Sequence, residues 1–425
     1  MIISLKIENY RSIKDELFID FKATNRLNED HLPNNTFSES GSSLLSSIIL
    51  YGRNASGKSN ILKALKAINF LIEKSMDFKH KQRIPPYEPF KFDTQTKDKP
   101  IKLDVEFISI KSKVRYNYLI VFSEFAIERE SLHFYPQGVR AKLYERINNQ
   151  VSYGEYYKGA KKSIEDELLE NQLFLSKAST SKIDHLNEVF LYFTKYFFVS
   201  TIHDTEYDKT IIRAFSEYML GDLKLKSNIL KLLKAGDTNI TDFSIIKNDM
   251  TKFKFPNNMP EEIQKDIIER FKYDVKTDHL MFNNNELIGK ESIPLEDESF
   301  GTKKLLSVGS LIISTLDDGG VIVVDELDKG LHPLLTKMLI KLFHSRTNNP
   351  HNAQLIFATH DSTLLDNDLF RRDQICFVDK EYEGGSIFYK LSDMKGIRKD
   401  IPIDRWYLSG RYKAIPVISD LTLEF

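Results

Sequence analysis

The sequence holds a single cysteine, Cys376, among 425 residues, so no disulfide can form within the chain. That fits a reducing compartment, and the expected location is the cytoplasm. Cys376 lies in the apolar run Gln374–Val378 and reads as a buried strand thiol. No apolar stretch is long enough to cross a membrane. Alternation of charged and apolar residues from Lys6 onward excludes a signal peptide. An excess of either charge is also missing. Lys and Arg total 60 against 61 Asp and Glu, so no global basic field draws the chain to nucleic acid. Local basic runs remain at Lys158–Lys162 and Lys224–Lys234, where a solvated helix face is the plainer reading. A sustained heptad pattern is absent, which argues against a long coiled-coil arm, and there is no internal repeat. What is present is 41% hydrophobic and 28% charged residues, the balance of a soluble globular protein. The length implies two or three packed units.

Periodicity divides the chain. Ile2–Ile7 and Phe18–Phe21 read as short strands, and the polar stretch Thr24–Ser43 separates them from Ser47–Tyr51. That apolar run reads as a buried strand feeding a glycine loop and a helix over Lys58–Ser75. Ile84–Phe92 carries three prolines and must be irregular. Ile101–Ile110, Val114–Ser123 and Ala126–Pro136 alternate as an antiparallel sheet would, with Ala141–Arg146 as a further strand. Helical spacing follows over Ile164–Phe198, Asp208–Leu220, Lys226–Lys234 and Pro260–Phe271. The tail regains an α/β rhythm: helix Lys303–Leu316, strand Gly320–Val324, helix Pro333–Ser345, strands Gln354–Ala358 and Ile375–Asp379. The expected organisation is therefore a split α/β core, 1–83 and 292–425, interrupted by an antiparallel β lobe, 84–155, and a helical insert, 156–291.

Gly52-Arg53-Asn54-Ala55-Ser56-Gly57-Lys58-Ser59 matches the Walker A pattern in full, with a strand before it and a helix after it. Glycines let such a loop wrap with its N–H groups inward, and the following helix N-terminus adds to the anion site. Lys58 would neutralise the β- and γ-phosphates of ATP, and the Ser59 hydroxyl would ligate Mg²⁺. Asn60 completes the expected nucleotide contacts. Val321–Val324 is an apolar run that ends in Asp325 and Glu326, so a central strand delivers two carboxylates at its C-terminal end. Asp325 would hold Mg²⁺, and Glu326 would polarise the attacking water. Leu355–Ala358 leads to Thr359, His360 and Asp361, where His360 could donate to a γ-phosphate oxygen. Ser299, Gly301 and Thr302 open the helix at Lys303 and could present N–H groups to a phosphate, although taken alone an ordinary N-capped helix start is the better reading.

This order of motifs resembles the ABC-type ATPases, within them the branch of SMC, RecF and OLD proteins. Asn9-Tyr10-Arg11-Ser12 is similar to an N-terminal motif of that branch, which implies that Arg11 lies near the nucleotide. The closer resemblance is to RloA and AbiL-type AAA ATPases of bacterial defence. It is carried by Leu173–Ala178, Leu233–Asp237 with Ile240, Asp242 and Phe243, and Tyr407–Tyr412 with Ala414–Pro416. The resemblance implies a homodimer or higher homo-oligomer with ATP sandwiched between subunits. Ser299 and Gly301 of one subunit would then face the γ-phosphate held by Lys58 of the other, with Asp328 in the loop lining the interface. The signature here is Ser-Phe-Gly-Thr rather than the Ser-Gly-Gly-Gln of transporters. Gln137 and Gln150 are the candidates for a Q-loop glutamine.

The function so implied is an ATP-driven switch or scaffold of anti-phage, abortive-infection defence. It would sense a phage-encoded trigger and control a separate effector such as a nuclease. A DNA-repair or DNA-clamp ATPase of the RecF type is the alternative, with DNA as partner. A transporter subunit is disfavoured by the long insert. A self-contained nuclease would have to use Asp361, Asp366 and Asp368, which sit among ordinary turn residues.

Overall fold

The computed structural model describes residues 1–24, 27, 31–200, 205–256, 258–397 and 401–416, so part of the polar stretch 24–43 lies outside it. The chain forms β1 (Ile2–Glu8), β2 (Leu17–Asp20), β3 (Thr36–Glu39), β4 (Ser42–Leu45), β5 (Ser47–Tyr51) and α1 (Lys58–Lys74). Five strands follow: β6 (Ile101–Ile108), β7 (Arg115–Phe122), β8 (Ile127–Phe134), β9 (Ala141–Ile147) and β10 (Gln150–Tyr153). Next come α2 (Lys162–Glu165), α3 (Phe174–Ala178), α4 (Asp184–Lys195), β11 (Phe197–Ser200), α5 (Thr205–Gly221), α6 (Leu223–Ala235) and β12 (Ile240–Lys247). The chain continues as α7 (Glu261–Phe271), β13 (Tyr273–Asn283), β14 (Glu286–Pro294), α8 (Phe300–Asp318), β15 (Val321–Val324) and α9 (Pro333–Phe343). It ends in β16 (Gln354–Ala358), β17 (Ile375–Lys380), β18 (Ser386–Lys390) and α10 (Ile403–Leu408).

Two compact units result. The first holds residues 1–201, 315–327 and 340–425, the second 202–314 and 328–339. Among the described residues the first unit contains a six-stranded sheet in the order β11-β15-β16-β5-β17-β18 and a seven-stranded sheet in the order β10-β9-β8-β7-β6-β1-β2. In the six-stranded sheet every pairing is parallel except β17 with β18. Its central strands β5, β15 and β16 are buried at every position, as the unbroken apolar runs require of strands covered on both faces. The seven-stranded sheet is antiparallel throughout, and its strands β6 and β7 alternate buried and half-buried residues. The expected antiparallel lobe therefore recruits the N-terminal strands as one edge. This is a mixed α/β fold with a P-loop core, an antiparallel β lobe and a largely helical insert.

Helix α1 joins the two sheets. Its residues Ile61, Leu62, Ala64, Leu65, Ala67, Ile68, Leu71 and Ile72 are all buried, a spread too wide for a surface helix with one apolar stripe. They belong to one continuous apolar core with Leu103, Val105 and Ile120 of the antiparallel sheet and Ile48, Leu50 and Val323 of the parallel one. Helices α3 and α4 pack on α1. Glu130 of β8 fastens α3. Its buried carboxylate accepts hydrogen bonds from Tyr118 and Tyr144 hydroxyls and from the N–H groups of Phe174 and Leu175.

The helical spacing over Ile164–Phe198 resolves into three short helices and then a strand. Phe197–Ser200 pairs in parallel with β15 at the sheet's open edge, and this long-range pairing outweighs the local period. In the second unit α5, α6 and α7 fall where helices are expected, but β12, β13 and β14 form an antiparallel sheet that periodicity does not announce. Strand β14 buries none of its side chains fully, so it has no apolar alternation to read.

Gln354 locks the two sheets of the first unit together. Its amide, 1% exposed, accepts from Ile2 N–H at 2.6 Å and donates to the carbonyls of Ile2 and Leu45 at 3.2 and 3.0 Å. Gln354→Leu leaves three buried backbone groups unpaired, at about 1–3 kcal/mol for each that water cannot reach. A melting temperature lower by several degrees is expected in thermal unfolding, and an unchanged value would show the bridge to be idle.

Candidate functional site

The C-terminal ends of β5, β16 and β15 lie at one edge of the parallel sheet. Leu50 is level with Ala358, and Phe357 with Val324. The Walker loop, His360 and the Asp325-Glu326 pair therefore leave the sheet side by side, with β5 and β15 two strand spacings, about 10 Å, apart. Thr359 N–H donates to Leu50 O at 3.2 Å, and Leu327 N–H to Ala358 O at 3.3 Å, which extends the alignment past the strand ends.

Between β5 and α1 the loop makes a tight turn that only certain residues tolerate. Gly57 caps the helix at φ 113°, and Ala55 also takes a positive φ of 62°. A Cβ at position 52 would lie 2.2 Å from the Val378 carbonyl oxygen, so β17 fits against this glycine alone. Lys58 starts the helix and folds back. Its Nζ donates to the carbonyls of Gly52 at 2.7 Å and Arg53 at 3.2 Å. The residue is 6% exposed, and burial lowers its pKa to about 8, against the opposing pull of Asp325 and Glu326. The two acids thus share the field of the loop lysine, which brings together the two motifs that lie far apart in sequence.

The remaining loop residues divide by task. Arg53 turns outward to Asp379 at 3.1 Å and to the Lys380 carbonyl at 3.0 Å. Asn54 and Ala55 are exposed, while Ser56 is fully buried with no hydrogen-bond partner for its Oγ. Ser59 is half-buried in the first helical turn, and the Asn60 amide donates to Ser12 Oγ at 2.7 Å.

Asp325 is 4% exposed, and its N–H donates to the Ser200 carbonyl at 3.0 Å. Glu326 is half-buried and adopts φ 45°, a left-handed conformation that costs a non-glycine residue about 1–2 kcal/mol. Strain of this kind collects where a side chain must be aimed. His360 is exposed at the end of β16. The neighbouring Asp361 caps its own turn through Thr363 N–H at 2.8 Å, and Asp366 accepts from Asp368 N–H at 2.9 Å. Those aspartates act as turn caps, and among the described residues no three His, Cys, Asp or Glu side chains converge as a metal cage.

Arg11 also adopts a positive φ, 54°. Its N–H donates to the Glu88 carbonyl at 2.7 Å, and its guanidinium pairs with the Glu88 carboxylate. Sequence reasoning passed over Glu88 because the proline-rich stretch around it has no period. Its neighbour Asn9 is 4% exposed and anchors the same stretch, accepting from Phe90 N–H at 3.1 Å and donating to the carbonyls of Thr96 and Lys99 at 2.9 Å. Gln137 lies in the exposed turn between β8 and β9, and Gln150 on the outermost strand, five strands from β1. Five strand spacings put Gln150 about 24 Å from β1.

The second unit holds Ser299, Gly301, Thr302 and Asp328. Ser299 Oγ accepts from Thr302 N–H at 3.1 Å and lies 2.8 Å from Thr302 Oγ1, so it is the N-cap of α8. A Cβ at Gly301 would lie 3.0 Å from the Gly330 carbonyl oxygen, and one at Gly330 would enter the Phe300 ring, so the helix start packs on the loop that follows Asp328. Asp328 Oδ1 is sealed from solvent without a hydrogen-bond partner.

The lowered pKa of Lys58 has a definite sign. Unfolded, the lysine keeps its proton up to about 10.5. Between about pH 8 and pH 10 the unfolded chain binds more protons, so stability without nucleotide rises with pH across that window. A polyphosphate beside Lys58 restores the charge. At pH 9 triphosphate binding is expected to take up most of a proton, read by calorimetry in buffers of different ionisation enthalpy. Lys58→Arg should show no uptake, and Lys58→Ala no binding.

No curated protein sequence matches the chain. Solved structures of similar shape include the SMC head domain from Thermotoga maritima, 13% identical, with a TM-score of 0.40 over 92% of this chain and 98% of that one. The Smc head domain of Pyrococcus furiosus, bound to the C-terminal domain of ScpA, is 12% identical, with a TM-score of 0.41 over 92% and 96%. That of Pyrococcus yayanosii is 11% identical, with a TM-score of 0.37 over 97% and 99%. No helix among the described residues is long and apolar enough to cross a membrane. Residues 47–366 run from the first residue of β5 past His360, and so take in the loop, the acidic strand end and the intervening insert. Over this span, well over half its length, the chain matches the family described as "AAA domain, putative AbiEii toxin, Type IV TA system", and it belongs to that family of AAA domains.

Proposed function

We propose that the chain binds and hydrolyses ATP at the Gly52–Asn60 loop and works as a molecular switch in bacterial anti-phage defence, controlling a separate effector. The observation that carries the nucleotide reading is Lys58, buried in its loop with Asp325 and Glu326 close enough to hold up its basicity. A buried ammonium flanked by two carboxylates and a ring of backbone groups suits a ligand that brings both negative charge and a metal ion. The unpartnered Ser56 hydroxyl is a further buried donor within the loop.

Each residue has a defined task in this reading. Lys58 exchanges its contacts with the Gly52 and Arg53 carbonyls for the β- and γ-phosphate oxygens. The first turn of α1 supplies N–H groups and the positive end of its dipole. Ser59 and Asp325 offer hard oxygen ligands that fit Mg²⁺, which would neutralise phosphate charge there. Glu326, which follows Asp325 at the end of β15, accepts a proton from the attacking water. His360, exposed at the same sheet edge, donates to the γ-phosphate. Ser299, Gly301, Thr302 and Asp328 act from a second subunit, across an ATP-bridged homodimer.

The defence role is supported by the toxin–antitoxin system in the family description. A DNA clamp draws less support. Lys226, inside the basic run on α6, is tied to Asp242 at 3.6 Å and lies over the Phe243 ring.

Glu326→Gln is expected to bind ATP with parental affinity, to lose at least ~100-fold in phosphate release, and to accumulate as a dimer when mass is measured with ATP. Hydrolysis at the parental rate would remove Glu326 from the mechanism. The defence role is tested by co-purification with the product of the adjacent gene and by phage challenge. Full protection by Glu326→Gln cells would separate signalling from turnover.

A further inference from the structure

The phosphate loop is tied to two remote parts of the chain by a run of side chains that no motif announces. Asn60 Nδ2 lies 2.7 Å from Ser12 Oγ, Ser12 Oγ 2.7 Å from Ser386 Oγ, and Ser386 Oγ 2.6 Å from the Ser56 carbonyl oxygen. The two ends fix the direction of this chain. An amide nitrogen only donates and a carbonyl only accepts, and each hydroxyl has one proton to give. Asn60 therefore donates to Ser12, Ser12 to Ser386, and Ser386 to Ser56. Ser386 opens β18 opposite Lys380, and its own N–H donates to the Ser12 carbonyl at 2.7 Å, so its position is set by main chain on two sides. Position 57 admits only glycine beside it, since an added Cβ would lie 2.1 Å from Ser386 Oγ and 2.7 Å from Ser12 Oγ.

The consequence is a matter of peptide geometry. In a trans peptide the carbonyl of one residue and the N–H of the next point in opposite directions, and none of the described peptide bonds is cis. The Ser56 carbonyl points at Ser386, so the Gly57 N–H points away from it. That N–H has no acceptor among the described residues. We propose that Ser386, backed by Ser12 and Asn60, is the positioning residue that turns the Gly57 amide toward the phosphates. Asn60 then belongs to the support of the loop rather than to its contacts with ligand. The loop that reads as a local motif takes its final peptide orientation from a serine at the far end of the chain.

This inference rests on the loop holding ATP. Calorimetric titration of the full chain with Mg²⁺ and ATP, paired with steady-state turnover, tests it. Ser386→Ala frees the 56–57 peptide, and the Kd for ATP is expected to weaken about tenfold, the worth of one hydrogen bond to a charged group. KM should rise with it, while kcat changes less than about twofold, because the amide serves ground and transition state alike. Ser12→Ala leaves the Ser386–Ser56 bond in place and should weaken binding only about threefold. The double variant should bind no more weakly than Ser386→Ala alone. A Kd for Ser386→Ala within twofold of the parent, or a double variant equal to the product of the singles, overturns the proposal. If Ser386→Ala does not fold, Ser12→Ala decides it, and parental affinity there overturns it. Loss of binding in Lys58→Ala alone, with Ser386→Ala unchanged, rejects this inference and keeps the nucleotide site. A parent chain that binds no ATP rejects both.

Discussion

A lysine ammonium kept inside the protein is the constraint on which the rest of the first unit depends. Lys58 is nearly sealed from solvent, and burial alone would drive it toward the neutral form. Two main-chain carbonyls from its own loop and the two carboxylates that follow β15 oppose that tendency. The carboxylates can do so only if β15 and β5 run parallel, in a register that ends both strands at one edge. Strand β16 between them supplies that register residue by residue. The apolar runs of these three strands therefore have an electrostatic consequence. Their burial sets where the charges end.

The antiparallel sheet belongs to the same device. Its strand β1, paired between β6 and β2, leads directly into Asn9, Arg11 and Ser12, and each of the three holds something beyond itself. Asn9 gathers the stretch from Phe90 to Lys99, Arg11 takes Glu88, and Ser12 reaches the loop helix through Asn60. Gln354, at the foot of β16, hydrogen-bonds β1 from the other end. A displacement of β1 would thus be felt at the base of the parallel sheet and at the phosphate loop together. Such long-range fixing suits a site whose donors must stay in place while a highly charged ligand enters.

What the sequence makes legible follows from how local each cause is. The glycine loop reads directly because its residue types are demanded by backbone angles and close approach at Gly52 and Gly57. Strands β5, β15 and β16 read directly because burial on both faces leaves an unbroken apolar run. Strand β11 does not, because Phe197–Ser200 continues the helical spacing of α4 and becomes a strand only by pairing with β15. The hairpin β13–β14 escapes because its outward half buries almost nothing. Glu88 and Ser386 are illegible for a different reason. Each is defined by a partner hundreds of positions away or in an aperiodic stretch, and a serine or glutamate in isolation carries no sign of that.

The second unit obeys a more local logic. Ser299 spends its hydroxyl on the first turn of α8, so the residue that the motif order assigns to a phosphate is also the cap that keeps its own helix start in shape. Gly301 and Gly330 are small because their backbones meet, and the Phe300 ring covers the second of them. These contacts fix the shape of the segment without using the Asp328 carboxylate, one oxygen of which is buried and unpaired. A buried carboxylate oxygen without a donor costs stability wherever it occurs. In the first unit the charged groups are already balanced by one another, with Lys58 answered by Asp325 and Glu326. In the second, one Asp328 oxygen is buried without a donor beside a helix start capped by Ser299, so the two segments are held by different physics, the first by charge and the second by capping and close backbone packing.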